Sequence, residues 1–146
     1  MKPKNGAAVL IMSPDKILLF HRDNIPTIPA PDCWQLVGGG IEEGETPEQA
    51  LVREVKEEVC YDLKNFQFVK KVVGQLGEEK WFYVAFVNKD EENKFKLGPD
   101  EGQEIGWFTI EEALKIKLAA GTKILLEKYK EIIIKMMKTK NVPNIN

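Results

Sequence analysis

The apolar positions of this chain come in short blocks separated by turn chemistry. Residues 7–12 form an unbroken apolar run, and Ser13-Pro14-Asp15-Lys16 supplies a turn before a second run at 17–22. The pair predicts a hairpin. Residues 23–32 contain three prolines at 26, 29 and 31, which bar regular structure and predict a loop. A short strand at 33–37 then leads into Gly38-Gly39-Gly40, read as a glycine loop. Further on, 66–73 and 81–87 predict two strands, with a turn between them. The stretch 105–108 predicts a last strand, and 89–93 a charged turn.

Helical periodicity is clearest just after the glycines. Thr46 suits an N-cap, Pro47 the first helical position, and Gln49 closes a capping box. Leu51, Val55 and Val59 then make one apolar stripe, predicting a helix to about residue 59. Thr109 with Glu112 is a second capping box, opening a short helix to about 116. Gly121-Thr122 precedes a predicted longer helix to about 138. Its Ile124, Leu125, Tyr129, Ile132, Ile133 and Met136 are expected in the core. Residues 139–146 read as a frayed tail. The order of elements predicts a mixed sheet between helices in a single domain spanning 1–146.

Composition narrows the class. The chain has 146 residues, 43% apolar and 30% charged, with a formal net charge of −2. That balance provides no global basic field, so no nucleic-acid polymer and no membrane surface is expected as partner. Nothing at the N-terminus reads as a secretory signal and no apolar run is long enough to span a bilayer, so a cytoplasmic protein is expected. Cys33 and Cys60 are too few for a disulfide framework, and His21 is the only histidine. A zinc site or a Cys–His nucleophile is therefore unsupported.

The candidate chemistry lies on the helix behind the glycines. Glu54, Glu57 and Glu58 are three and four residues apart, so their carboxylates share a face beside the apolar stripe. Two like charges ~4 Å apart repel by ~4 kcal/mol at an effective dielectric of 20. A hard divalent cation turns that repulsion into ligation. Arg53 can pair with Glu57 one turn on.

These residues resemble the Nudix box, G-x5-E-x7-R-E-U-x-E-E-x-G-U, where U is bulky and apolar. Gly39, Glu45, Arg53, Glu54, Val55, Glu57 and Glu58 match in register. Cys60 stands at the second box glycine, Tyr61 in the last apolar slot, and Val37 where many members have proline. The resemblance implies a Nudix-type α/β/α sandwich. It also implies hydrolysis of a nucleoside diphosphate linked to another group, with Mg²⁺ as cofactor and Mn²⁺ as a substitute. Carried over by position, Glu57 and Glu58 would be metal ligands, helped by a carbonyl near Gly38 and Gly39. Glu54 would be a ligand or the general base, and Arg53 would orient the glutamates. Glu45 would be structural or an outer ligand. Glu101, with Glu104 second, aligns with the further acid that completes the site in MutT-type members.

Substrate contacts are expected from Arg22 to phosphate and from Trp34 and Tyr83 to a base, besides Gly38 and Gly39. The absence of subgroup markers outside the box favours a small MutT-like enzyme, monomeric or homodimeric. It would convert a nucleoside triphosphate to monophosphate and pyrophosphate. A nucleotide-sugar or dinucleoside polyphosphate substrate is the first alternative, and a non-catalytic nucleotide-binding module the second.

Overall fold

In the structure, a computed structural model describing residues 3–143, the chain folds around a seven-stranded mixed sheet. Strands β1 (Gly6–Met12) and β2 (Ile17–His21) form the expected hairpin, with the Ser13 amide donating to the Lys16 carbonyl at 2.9 Å. Then follow β3 (Trp34–Gln35), β4 (Val37–Gly40) and helix α1 (Pro47–Val59). Strands β5 (Gln67–Val73) and β6 (Glu79–Phe86) make the second hairpin, ahead of a 3₁₀ turn at Lys89–Lys94. Strand β7 (Glu104–Phe108) and helices α2 (Ile110–Ala113), α3 (Ala120–Lys128) and α4 (Lys130–Thr139) complete the chain.

β1 is the axis of the sheet. It runs parallel to β6 along its whole length, antiparallel to β4 over its first half, and joins β2 at its far end. Such a strand is covered on both faces, which is why its sequence is apolar without alternation. Ala7, Val9 and Ile11 point into one core with Leu51, Val55 and Val59 of α1. Ala8, Leu10 and Met12 point into the other, with Leu126, Ile133 and Met136 of α3 and α4. The α/β/α sandwich with a mixed sheet is therefore the fold observed.

Four details differ from the sequence reading. The triple glycine is not a loop: Gly38, Gly39 and Gly40 pair with Ala8, Ala7 and Gly6 as strand β4. The predicted helix to 138 is two helices, broken at Tyr129, and Gly121 and Thr122 lie within α3. Ile124 is 62% exposed rather than in the core, because α3 turns a different face to the sheet. α2 ends at Ala113, short of 116. Of the predicted tail, Thr139 closes α4 and Val142 packs against the second core, while 144–146 lie outside the described residues.

Candidate active site

Local chemistry fixes where α1 begins, and this fixes which way its acids point. The Thr46 hydroxyl accepts from the Gln49 amide at 3.1 Å, and the Gln49 side chain accepts from the Thr46 amide at 3.0 Å. With Leu51, Val55 and Val59 fully buried, the flank carrying Arg53, Glu54, Glu57 and Glu58 faces β4. Burial of those three side chains stabilises this docking by about 1.5–3 kcal/mol each.

Glu58 lies deepest, at 5% exposure, where its Oε1 accepts from the Gly38 amide at 2.9 Å. Burial pushes its carboxyl up to about 8. The Gly38 hydrogen bond and Arg22 oppose that shift, while Glu54 and Glu101 add to it. The Glu54 carboxyl lies directly over Gly39, where an added Cβ would come within 2.4 Å of its carboxyl carbon. Gly38 has φ +154, and a Cβ there would meet the Ala7 carbonyl oxygen at 2.2 Å. Both glycines are thus demanded by close approach.

Arg53 is the hub. Its Nε and Nη2 donate to the two oxygens of Glu45 at 2.8 and 2.9 Å, a bidentate pair that holds Glu45 down to about 2. Nη2 also donates to the Gly40 carbonyl at 3.0 Å, and Nη1 to Glu54 at 3.0 Å and Glu57 at 3.4 Å. Arg53 therefore ties the strand, the preceding loop and two acids of the helix into one unit. Its main partner is Glu45 rather than the Glu57 suggested by helix spacing.

Glu101 joins from the opposite wall. The Gly98 amide donates to the Glu58 carbonyl at 2.9 Å, and the Glu101 amide to the Gly98 carbonyl at 3.3 Å. A Cβ on Gly98 would fall 1.8 Å from the Glu57 carbonyl oxygen. Gly98 was not among the residues singled out from the sequence; the Gly98-Pro99-Asp100 turn signature was its only trace. Burial raises the Glu101 pKa, followed by repulsion from Glu54, Glu57, Asp100 and Asp23. Glu54 is likewise raised, by burial first and against the pull of Arg53.

Glu104, the second choice for the extra acid, is elsewhere: it accepts from or pairs with His21 Nδ1 at 3.2 Å. His21 Nε2 meets Asp32 at 2.9 Å, and the Gln103 amide donates to Asp32 and to the Arg22 carbonyl, both at 2.8 Å. This network fastens the 22–33 loop to the segment before β7, so His21 is structural. Trp34 stacks on His21 at 4.5 Å and meets the edge of Phe108 at 5.0 Å, so its ring is engaged in packing. Tyr83 is 2% exposed and its hydroxyl donates to Glu48 of α1, so it does not present a ring to a base. Arg22 is near enough to Glu58 to oppose its shift, and its Nε is buried with no partner among the described residues.

The donors gathered here are all hard oxygens: the carboxylates of Glu54, Glu57, Glu58 and Glu101 beside strand carbonyls. Burial first, and repulsion between neighbouring acids after it, raises Glu54, Glu58 and Glu101, and an all-oxygen donor set of this kind fits a Mg²⁺-like cation. Among the described residues no three acidic or imidazole groups are already drawn into a metal cage. Arg53 holds Glu54 and Glu57 instead, and Glu57, at 46% side-chain exposure, has room to swing. An apolar cavity of about 40 Å³ between the sheet and α3–α4 lies away from these acids and is too small for a nucleotide.

A carboxylate cluster on one helix, braced by an arginine against a glycine strand, suits metal-assisted hydrolysis of a phosphoanhydride. The model of the NUDIX domain matches residues 2–129, and the chain belongs to the Nudix family; it is a pyrophosphohydrolase. It is similar to an RNA pyrophosphohydrolase of Sulfurovum sp., with 34% identity over 123 residues, covering 80% of this chain and 68% of that one. It is also similar to the NAD-capped RNA hydrolase NudC of Pseudomonas putida, with 29% identity over 109 residues, 71% of this chain but only 36% of that one. Among solved structures, a mutT/nudix family protein from Listeria innocua superposes with a TM-score of 0.75 at 22% identity, covering 92% and 96% of the two chains.

Proposed function

We propose that this Nudix enzyme uses Mg²⁺ to hydrolyse a nucleoside triphosphate to the monophosphate and pyrophosphate. The observation that carries the reading is the Glu54–Glu57–Glu58 cluster, joined by Glu101 and set against Gly38 and Gly39. In this reading Glu57 and Glu58 hold the metal, with Glu54, Glu101 and the Gly39 carbonyl as further ligands. The metal, when bound, would neutralise phosphate oxygens and lower the pKa of a bound water.

The chain's own groups do the rest. Arg53 orients the two carboxylates it touches, Glu54 and Glu57, and Glu57 has room to move towards a cation. Gly39 leaves the strand bare, so a phosphate chain can approach the backbone closely. Glu54 or Glu101 takes the proton of the attacking water; burial raises both carboxyls above the ordinary carboxylate value, which makes either a stronger base. Arg22, with its unpartnered Nε, meets a phosphate oxygen.

Phosphate and pyrophosphate release from a nucleotide panel with Mg²⁺ tests this. Separate Glu54→Gln and Glu101→Gln variants identify the base by which one loses the alkaline-side rate rise. A second reading, in which the phosphoanhydride belongs to an RNA, is favoured by the similarity to an RNA pyrophosphohydrolase and to an NAD-capped RNA hydrolase.

A further inference from the structure

Glu101 lies midway along a strap, residues 98–103, that is fastened at both ends. At the first end the Gly98 amide donates to the Glu58 carbonyl at 2.9 Å, and Gly98 packs too closely on the Glu57 carbonyl to carry a Cβ. Both of those carbonyls belong to α1. The other end lies on the last residues of β2. Gly102 takes φ +43, and a Cβ there would come within 2.5 Å of Phe20 Cζ and 2.6 Å of the His21 carbonyl oxygen. The Gln103 amide donates to that same carbonyl at 2.9 Å. Glu101 is therefore suspended between the helix that bears the other acids and the end of β2.

The Gln103 side chain extends the second fastening to the 23–32 loop. Its Nε2 donates to the Arg22 carbonyl and to Asp32 Oδ1, both at 2.8 Å, which uses both amide protons. Asp32 Oδ1 also meets His21 Nε2 at 2.9 Å, and the other ring nitrogen meets Glu104 at 3.2 Å. The loop is closed at its base, where the Arg22 amide donates to the Cys33 carbonyl at 2.9 Å and the Asp32 amide to the Asp23 carbonyl at 3.0 Å. Asp32 has φ +60 and Ala30 φ +48, left-handed values uncommon for residues with a Cβ and kept where the surroundings hold them. Gln103 reaches across from the strap to hold this one. Its side-chain bonds are solvent-exposed and add little to global stability. What they fix is position, because Glu101 is only two residues away along the chain.

We infer that Gln103 is a positioning residue: by tying the strap to Arg22 and Asp32 it sets where the Glu101 carboxylate stands against Glu54, Glu57 and Glu58. The inference rests on the proposed phosphoanhydride chemistry, in which Glu101 is a metal ligand or the base, and goes beyond it by assigning the group that aims Glu101. An amide suits this place. A glutamate of the same length would set a carboxylate against the Arg22 carbonyl and the Asp32 carboxylate, replacing two donated hydrogen bonds with repulsion between acceptors.

The experiment sets wild type beside Gln103→Glu, Asp32→Ala, Asp32→Asn, Glu101→Gln and the Glu101→Gln, Gln103→Glu pair. Steady-state kinetics with Mg²⁺ and the best substrate of a nucleotide panel give kcat and KM, and far-UV spectra with Tm establish folding. Hydrogen exchange on the metal-free proteins reads residues 98–104 apart from activity. Gln103→Glu and Asp32→Ala should lower kcat by about tenfold or more, the scale on which a misplaced group costs rate, with KM and Tm close to wild type. Asp32→Asn keeps an acceptor oxygen and should lose far less. Glu101→Gln removes the group being positioned, so adding Gln103→Glu to it should cost nothing further. Exchange at 98–104 should rise in Asp32→Ala, although Asp32 and Gln103 are 71 residues apart in sequence. Additive losses in the paired variant, a change confined to KM, or unchanged exchange at 98–104 overturns the inference. Full activity of Glu101→Gln also overturns it, by removing Glu101 from the site while the rest of the cluster stands. If wild type turns over no nucleotide of the panel, the underlying reading fails and the inference with it.

Discussion

Arg53 shows why box residues act as a unit rather than as independent ligands. Its guanidinium spans Glu45, Gly40, Glu54 and Glu57, contacts a lysine could not reproduce because its ammonium lacks the planar fork. Arg53→Lys should lower kcat by about 10²-fold with a smaller change in KM, since misplacing catalytic groups by about 1 Å costs on that order. Steady-state kinetics with saturating Mg²⁺ checks it. Glu58 makes a second prediction, for the metal-free protein. Its folded pKa, about 8, is raised above the ordinary carboxylate value, so the folded state binds this proton more tightly than the unfolded state. Stability from this group is full below the ordinary carboxylate range and is lost as pH rises through about 8. Denaturant melts in EDTA should show that decline, at ~1.4 kcal/mol per pH unit at most, and Glu58→Gln should flatten it. Mg²⁺ addition at pH 7 should release a proton, because the metal competes for the same oxygens.

These residues were legible from spacing alone, because helix geometry puts i, i+3 and i+4 on one face. What spacing could not supply was partner choice across the fold. Glu45 precedes α1 and meets Arg53 only because the loop folds back. Tyr83 was read as a stacking candidate, but an aromatic in a strand does not declare its face. It points into the α1 core and bonds to Glu48. Glu101 and Glu104 are nearly equivalent in sequence; the Gly98 turn and His21 separate them.

At the scale of elements, α1 is specified at both ends. Thr46, Pro47 and Gln49 give its start, and Cys60 closes it in the left-handed conformation, φ 52 and ψ 37. The box pattern has glycine there, and cysteine bears a Cβ penalty that glycine avoids. Cys60→Gly should raise stability by about 1 kcal/mol without changing kcat, read from urea melts and turnover. The 98–101 turn is equally exacting. Gly98→Ala would drive a Cβ into the Glu57 carbonyl, so the segment carrying Glu101 must move away. It should reproduce the kinetic defect of Glu101→Gln while leaving the fold intact, as crystallography and assay together would show. The glycine strand is the element sequence misread: three glycines carry no apolar pattern, and only their pairing with β1 makes them a strand. The break at Tyr129 was hidden for the opposite reason, since apolar spacing continues through it.

In the whole molecule, β1 divides the chemistry. One face of the sheet carries α1 and the acids; the other carries α3 and α4. The sandwich was readable because every helix and strand turns an apolar side to it. Charge balance was less informative: a net charge of −2 is an average over the chain and does not show that the acids gather on one flank of α1. The measurement that tests the central claim most directly is pyrophosphate release from a nucleoside triphosphate, with Mg²⁺ or with EDTA. It is made on wild type, Glu57→Gln and Glu58→Gln, each shown to be folded. The account predicts turnover by wild type with Mg²⁺ only, and a loss of at least about 10²-fold in each variant, the scale on which catalytic groups of this kind contribute. Undiminished turnover in either variant, or equal turnover in EDTA, would contradict it.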